Sequence, residues 1–510
     1  MSGANNGATT FALSGPDAAR FQLSSPCTGI SCSLEAGGTE PDGYHDGKFL
    51  VFITPTLTGA TGSGVVYPFV INETVSCDQT VASGGTQTDI ANAISAAPTN
   101  RVVCFTDGGK FTISSTVTVN KAVRLTGVNA KIMPAIAVSG QITAFNVTAG
   151  GVQIDHLGAT GATATSSSDS CGGYSGFVTV GLVNGFTATY NKSASFMCEY
   201  LFLGTSNVTA KYNYMSGDGE AGIVCDPCLT GTVSNNVARD MANVGEPNAY
   251  PFVVSGDSVS TGVTFQNNSV FNNPVWECYD NHGGTDIHWF NNYCLAAGNN
   301  TAINSPGDGG PINTRPRVNG NVIDKGSAAC SGCNTIVMVA GGGGALTCTG
   351  GDGLGCRVGN NIILFGSADS GCGLMATGAD GGTLNGSVIV SGNSCGSNPA
   401  TMAAPVLATD QPGNAFVANQ PGGIIGKITV AVNPTFPSWV GGWPNYGGWP
   451  GTFSLGGPNA SNFQICVDGQ HLCQAAGGTA AGSYNITITG TLNGLSNSPR
   501  TSATITLAGS

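Results

Sequence analysis

Apolar and polar positions alternate in short runs along most of the chain, and many of the runs close on an asparagine or a glycine. Through the middle third these runs share a phrase. It reads Val233-Ser234-Asn235-Asn236-Val237, Phe265-Gln266-Asn267-Asn268-Ser269-Val270 and Trp289-Phe290-Asn291-Asn292-Tyr293. Later copies are Val318-Asn319-Gly320-Asn321-Val322, Val358-Gly359-Asn360-Asn361-Ile362 and Leu384-Asn385-Gly386-Ser387-Val388. Period-two alternation predicts strands, and a recurring interval of roughly twenty to forty residues predicts stacked coils with insertions. Asparagine tolerates the left-handed backbone of a sharp bend, and its amide pairs with a like amide on the next coil. The pattern therefore predicts an all-β chain built on a parallel β-helix.

One segment departs from the strand pattern. Thr86-Gln87-Thr88-Asp89-Ile90-Ala91-Asn92-Ala93-Ile94-Ser95-Ala96-Ala97 places Ile90, Ala93, Ile94 and Ala97 on one helical face, with Thr88 or Asp89 as the cap. A solenoid needs its first coil covered, and this helix stands where that cover belongs. Short strands follow at Arg101-Val102-Val103-Cys104-Phe105, Phe111-Thr112-Ile113, Val117-Thr118-Val119 and Val123-Arg124-Leu125-Thr126. A helix followed by such strands resembles the opening of pectate-lyase-like right-handed β-helix proteins. The resemblance implies that fold over roughly residues 75 to 430. It leaves the chemistry open, because the fold hosts lyases, hydrolases, epimerases, tailspikes and adhesins.

The two ends carry a second repeat. Thr10-Phe11-Ala12-Leu13-Ser14-Gly15-Pro16 leads to Phe21-Gln22-Leu23, and Thr452-Phe453-Ser454-Leu455-Gly456-Gly457-Pro458 leads to Phe463-Gln464-Ile465. A close cysteine pair, an Ala-Gly-Gly-Thr and an alternating strand follow each copy. The phrase resembles the cadherin-like or immunoglobulin-like β-sandwich modules of bacterial surface and secreted proteins. The expected domains are a sandwich module at 1–72, the β-helix at 73–432, a Trp/Gly/Pro-rich linker or plug at 433–451, and a second module at 452–510. Trp439, Trp443 and Trp449 in that linker read either as an apolar plug over the last coil or as a sugar-stacking platform.

Composition narrows the function classes. Only 9% of the residues are charged, which disfavours long amphipathic helices. A net charge of -12 with 16 Lys plus Arg gives no footprint for nucleic acid or anionic membrane, and favours a neutral substrate over a polyanion. No apolar run is long enough to span a bilayer. Eighteen cysteines point to an oxidising compartment, hence a secreted or cell-surface protein whose leader has been replaced by Met1. Cys77/Cys104, Cys171/Cys198 and Cys372/Cys395 sit about one coil apart and are placed to bridge stacked coils. Cys27/Cys32, Cys225/Cys228, Cys330/Cys333, Cys348/Cys356 and Cys466/Cys473 are close pairs, with zinc the competing reading for the two CxxC motifs.

Because charge is scarce, its gathering between residues 218 and 286 is informative. Counting from the repeated Asn predicts that Glu246, Glu277 and Asp280 lie on neighbouring coils of one outer face. Paired carboxylates serve glycosidic cleavage, one as acid and the other as nucleophile or base. One-coil separation suits a retaining geometry and two coils an inverting one. The competing reading is that the carboxylates accept turn hydrogen bonds or hold a structural calcium ion, no other cofactor being required. The densest reactive segment, Trp276 to Trp289, adds His282 as acid/base and Trp276 and Tyr279 as sugar contacts, with Asp240 beside them. Within it, Asp280, His282, Asp286 and His288 have the side chains of a metal set, but no helix fixes their spacing and a satisfied polar strand is the preferred reading. Arg315-Pro316-Arg317 faintly resembles the arginine-bearing region of pectate lyases, which implies Arg315 as a substrate contact or base; the competing reading makes Arg315 and Arg317 turn or carboxylate partners. The expectation is an extracellular enzyme cleaving a polysaccharide on the lateral face. Alternatives are a lyase using Arg315 or His282, and a non-catalytic adhesive protein associating through its terminal modules.

Overall fold

In the computed structural model the alternating runs close into coils that visit three parallel sheets in turn. The structure describes residues 9–14, 21–23, 34–36, 48–57, 67–72, 75–130, 132–162, 171, 176–241, 249–255, 259–271, 273, 277–295, 303–304, 313–324, 335–340, 344–350, 354–364, 375–379, 381–396, 401–408, 415–430, 432–433, 452–466, 471–491 and 498–510. Among these the three sheets hold 16, 11 and 10 strands, in that order along each coil. Every coil-to-coil pairing in them is parallel and nearly in register, as between Phe145, Val178 and Tyr200. The chain is thus a parallel β-helix.

The asparagine phrase lies at the corner between the first and second sheets. Asn191, Asn213, Asn236, Asn268, Asn292, Asn321, Asn361 and Asn393 form one ladder in which each Nδ2 donates to the Oδ1 of the next, at 2.9 to 3.1 Å. Each Oδ1 also accepts the backbone N–H of the preceding member, and each Nδ2 also donates to a backbone carbonyl, as Asn268 does to Val233. The amides of Asn213 to Asn361 are thereby satisfied in a buried site. In the doubled phrases the two asparagines divide the work. Asn235, Asn267, Asn291 and Asn360 take φ between 53° and 60°, while their successors form the ladder. The copy at Asn385 does not belong to it. The last rung is Asn393, preceded by Gly392 at φ 68°.

Inside the third sheet one column reads Val117, Phe145, Val178, Tyr200, Ile223, Phe252, Tyr279, Ile303, Ile336. All are buried in one continuous core, and burying each such side chain contributes roughly 1.5–3 kcal/mol. The helix Gln87–Ala96 adds Ile90, Ala93 and Ile94 to the same core at its first coil. Its N-cap is Thr86 rather than Thr88 or Asp89; Asp89 accepts from the Thr86 N–H and hydroxyl at 2.8 and 2.9 Å.

Among the described residues the coil-to-coil pairing of the three sheets ends at Ser394–Gly396, where the ladder also ends. Val406–Ala408 and Ile424–Thr429 instead pair antiparallel with each other, and Ile424–Thr429 with His471–Gln474. The coil therefore stops near 396 rather than 432, and strands before the expected linker belong to the C-terminal module. That module is two sheets around Phe416, Ile428, Phe463, Leu472, Ile486 and Leu507. The terminal repeat folds alike at both ends. Thr9–Ser14 pairs antiparallel with Lys48–Leu57 as Thr452–Gly456 does with Gly482–Thr491. Likewise Phe21–Leu23 pairs with Leu34–Ala36, and Phe463–Ile465 with His471–Gln474. The tryptophans at 439, 443 and 449 lie outside the described residues.

Disulfides join Cys77–Cys104 and Cys171–Cys198 across one coil, and Cys225–Cys228, Cys348–Cys356 and Cys466–Cys473 locally. The bridge at Cys225–Cys228 removes the zinc reading there. Cys278–Cys294, with Cα atoms 6.0 Å apart, is a pair that spacing did not suggest. It joins the third sheet of one coil to the second sheet of the next.

Candidate active site

The outer face of the third sheet carries a cleft lined by several titratable side chains. Its central outward column reads Thr118, Asn146, Thr179, Leu201, Val224, Val253, Asp280 on seven consecutive strands. Two residues further along the last four strands stand Leu203, Asp226, Ser255 and His282, at equal positions of successive coils. A cleft of about 760 Å³ runs over this face from Thr116 to His282, a distance of about 29 Å at the spacing of stacked strands. Leu201, Val224 and Val253 form its apolar floor with Ala221 and the Cys171–Cys198 bridge, partly covered by Tyr250.

The reactive groups gather at one end. His282 Nε2 lies 2.7 Å from Asp280 Oδ2, and Asp280 is almost fully buried while His282 is a third exposed. The Tyr250 ring meets the imidazole edge-on at 5.8 Å. Asp226 lines the cleft two coils away, about 10 Å along the axis. Glu220 lines it too, its Oε2 accepting the Cys171 N–H at 2.9 Å. Among the described lining residues there is no Lys or Arg.

The structure sorts the expected site residues. His282 lines the groove, and Asp280 lies buried behind it, 2.7 Å from its Nε2. Tyr279 does not contact the groove, because neighbours on a strand face opposite sides. Its ring is buried in the core and its hydroxyl donates to the carbonyls of Asn268 and Tyr293. Glu277 is buried just ahead of this strand and is not a lining residue. Asp240 sits at φ 53° on another corner, paired with Arg239 at 2.6 Å, away from the groove. Arg315 stands on the first sheet in a two-pronged pair with Asp286, at 2.8 and 2.6 Å, which holds the Asp286 carboxyl below the usual range. Asp286 lies in the bend between two strands of that first sheet and His288 on the second of them, so Asp280, His282, Asp286 and His288 are split between two faces, in keeping with the preference for a satisfied polar strand over a ligand set. Glu246 and Trp276 lie outside the described residues.

Among the described residues the group with metal-ligand spacing is Cys171, Cys198 and Glu220, and both sulfurs are committed to a disulfide.

A second carboxyl pair was not anticipated. Glu199 and Asp218 are both fully buried, and the Phe196 N–H donates to Asp218 Oδ1. Burial, then the neighbouring Asp218, pushes Glu199 well up. Burial also pushes Asp218 up, to about 7. Neither lines the groove.

No protein-family model matches the chain, and no curated protein matches it in sequence. Three solved structures are similar in outline. The catalytic unit of a GH87 α-1,3-glucanase from Streptomyces thermodiastaticus is 18% identical at TM-score 0.39, covering 67% of this chain and 77% of that one. An alginate lyase from a Paenibacillus species is 11% identical at TM-score 0.34, covering 61% and 99%. A family 28 exopolygalacturonase of Yersinia enterocolitica is 10% identical at TM-score 0.29, covering 71% and 85%. The fold assignment rests on the strand registers above, not on likenesses this loose.

Proposed function

We propose that the chain is an extracellular carbohydrate-active enzyme that cleaves a glycosidic bond of a polysaccharide in the groove of the third sheet. The observation that carries this reading is the juxtaposition of Asp226 with the Asp280–His282 pair at one end of a long cleft. Asp226 and His282 stand at equal positions two coils apart, about 10 Å along the axis, which leaves room for a water beside the sugar, close to the roughly 6.5–9.5 Å between acid and base in inverting enzymes. In this reading Asp226 protonates the leaving oxygen. Asp280 fixes the tautomer of His282, and the ring's second nitrogen accepts the proton of the attacking water. Six disulfides among the described residues support an oxidising, extracellular setting. The terminal modules, with their repeated pairing, serve as cadherin-like or immunoglobulin-like units for surface attachment or self-association.

The Asp280–His282 pair also favours a second reading, β-elimination with His282 as base. Arg315 has no part in either, being held by Asp286 on another sheet. One assay separates the readings: reducing ends and unsaturated-product absorbance measured over a panel of neutral and uronate polysaccharides. Reducing ends without absorbance support hydrolysis, and absorbance supports elimination. Failure to cut any member sinks both and leaves the adhesive alternative.

A further inference from the structure

The outward column of the third sheet changes character along its length, and only one end carries acid/base groups. Asn146 and Thr179 are partly exposed and occupy the far end, flanked by Gln141 and Thr143. The Thr143 and Thr179 hydroxyls lie 3.3 Å apart. Leu201, Val224 and Val253 then form a hydrocarbon floor, and Asp280 follows. From Asn146 to Asp280 is five coil steps, about 24 Å.

A hydrogen-bonding amide and hydroxyls, then a flat apolar strip, match a sugar chain, whose rings have apolar faces and hydroxyl edges. The acidic end and the absence of lining cations repel a polyuronate. We infer that Gln141, Thr143, Asn146 and Thr179 form remote subsites for the uncut part of a neutral polysaccharide lying along the coil axis, so that cleavage falls near one end of the bound stretch. The position of the cut rests on the proposed roles of Asp226 and Asp280; the remote binding does not. Binding energy gathered there drives positioning at the reacting bond, so longer chains bind and react better.

The test uses the full chain carrying Asp226→Asn, which slows cleavage, and titrates it calorimetrically with malto-, cello-, laminari- and nigero-oligosaccharides of increasing length and with oligogalacturonates. The expected result is one neutral series whose affinity rises with length. Adding Asn146→Ala or Thr179→Val weakens its longest member by about tenfold, the equivalent of one lost hydrogen bond. Both positions are outward and partly exposed, and circular dichroism verifies folding. Affinity independent of length, undiminished binding in both variants, tighter binding of galacturonates, or no neutral binding overturns the inference. Cleavage by the unmodified chain is scored separately. Length-dependent binding without cleavage leaves the subsites standing and sinks the enzyme reading. Cleavage with equal kcat/KM for short and long chains does the reverse.

Discussion

His282 Nε2 stands 2.7 Å from Oδ2 of Asp280, two residues before it on the outward face of the same chain segment. The Asp280 side chain is buried and the imidazole is not, so the ring meets the groove while its partner lies behind it. If this pair moves the proton in catalysis, Asp280→Asn and His282→Ala each lower kcat by about 10²- to 10⁴-fold, as does Asp226→Asn. Steady-state rates on whichever polysaccharide the panel identifies provide the check. Half or more of the parent rate in Asp280→Asn removes the pair from the mechanism.

The asparagine ladder gives a prediction about stability. Each rung from Asn213 to Asn361 is a buried amide that donates twice and accepts twice, from the preceding rung's backbone N–H and side chain. Asn268→Ala leaves the Asn236 N–H and Nδ2 facing the Asn268 position without an acceptor. Stranded buried groups cost roughly 1–3 kcal/mol each, and a lowered thermal midpoint at unchanged groove chemistry is expected. Asn267 tests the division of labour, since its φ of 57° and not its amide is what the corner needs. Asn267→Gly is tolerated, whereas Asn267→Val adds about 1–2 kcal/mol of backbone strain. Equal melting of Asn268→Ala and Asn267→Gly would count against the ladder's role.

The coils were legible because the ladder repeats chemically: the same amide must meet itself at every turn. Asp280 and His282 were legible because charge is rare in this chain. Asp226 was passed over although it lay in the same acidic stretch. Counting from the ladder assumes a constant path to the third sheet, yet Val224, Val253 and Asp280, side by side there, follow Asn213, Asn236 and Asn268 by 11, 17 and 12 residues. Insertions at the corner between the second and third sheets break the ruler where the groove is built. Tyr279 failed for a different reason, the pleat that turns adjacent residues to opposite faces. The end of the coil at 396 was missed because alternation alone does not distinguish a parallel strand from an antiparallel one.

Arg315 separates a structural cation from a base. Its guanidinium grips Asp286 with two hydrogen bonds at a corner where both residues have positive φ. Arg315→Lys loses the two-pronged geometry and lowers the thermal midpoint slightly, with kcat unchanged. A fall in kcat of a hundredfold or more would restore the arginine-base reading.

The Glu199–Asp218 pair sets how stability responds to alkali. Burial raises both carboxyls, Asp218 to about 7, above the unfolded value of about 4. The folded chain therefore binds more protons than the unfolded chain between these limits, and stability falls as pH rises through that window and beyond it as Glu199 ionises. For a fully buried group shifted by about three units the loss is on the order of 4 kcal/mol. Tyr200 is the other titratable group against the pair, and burial followed by Glu199 pushes its phenol well up, so it stays neutral throughout. Asp155 works in the opposite direction. Burial raises it, but His156 and Arg124 outweigh that and hold it at about 2, so its contribution is present at neutral pH and lost as pH falls from about 4 towards 2. Thermal midpoints measured from pH 5 to 9 should decline for the parent and stay flatter for Glu199→Gln with Asp218→Asn, the doubly substituted chain melting higher at pH 9. Parallel curves for the two proteins would mean that the pair is not the source of the alkaline loss.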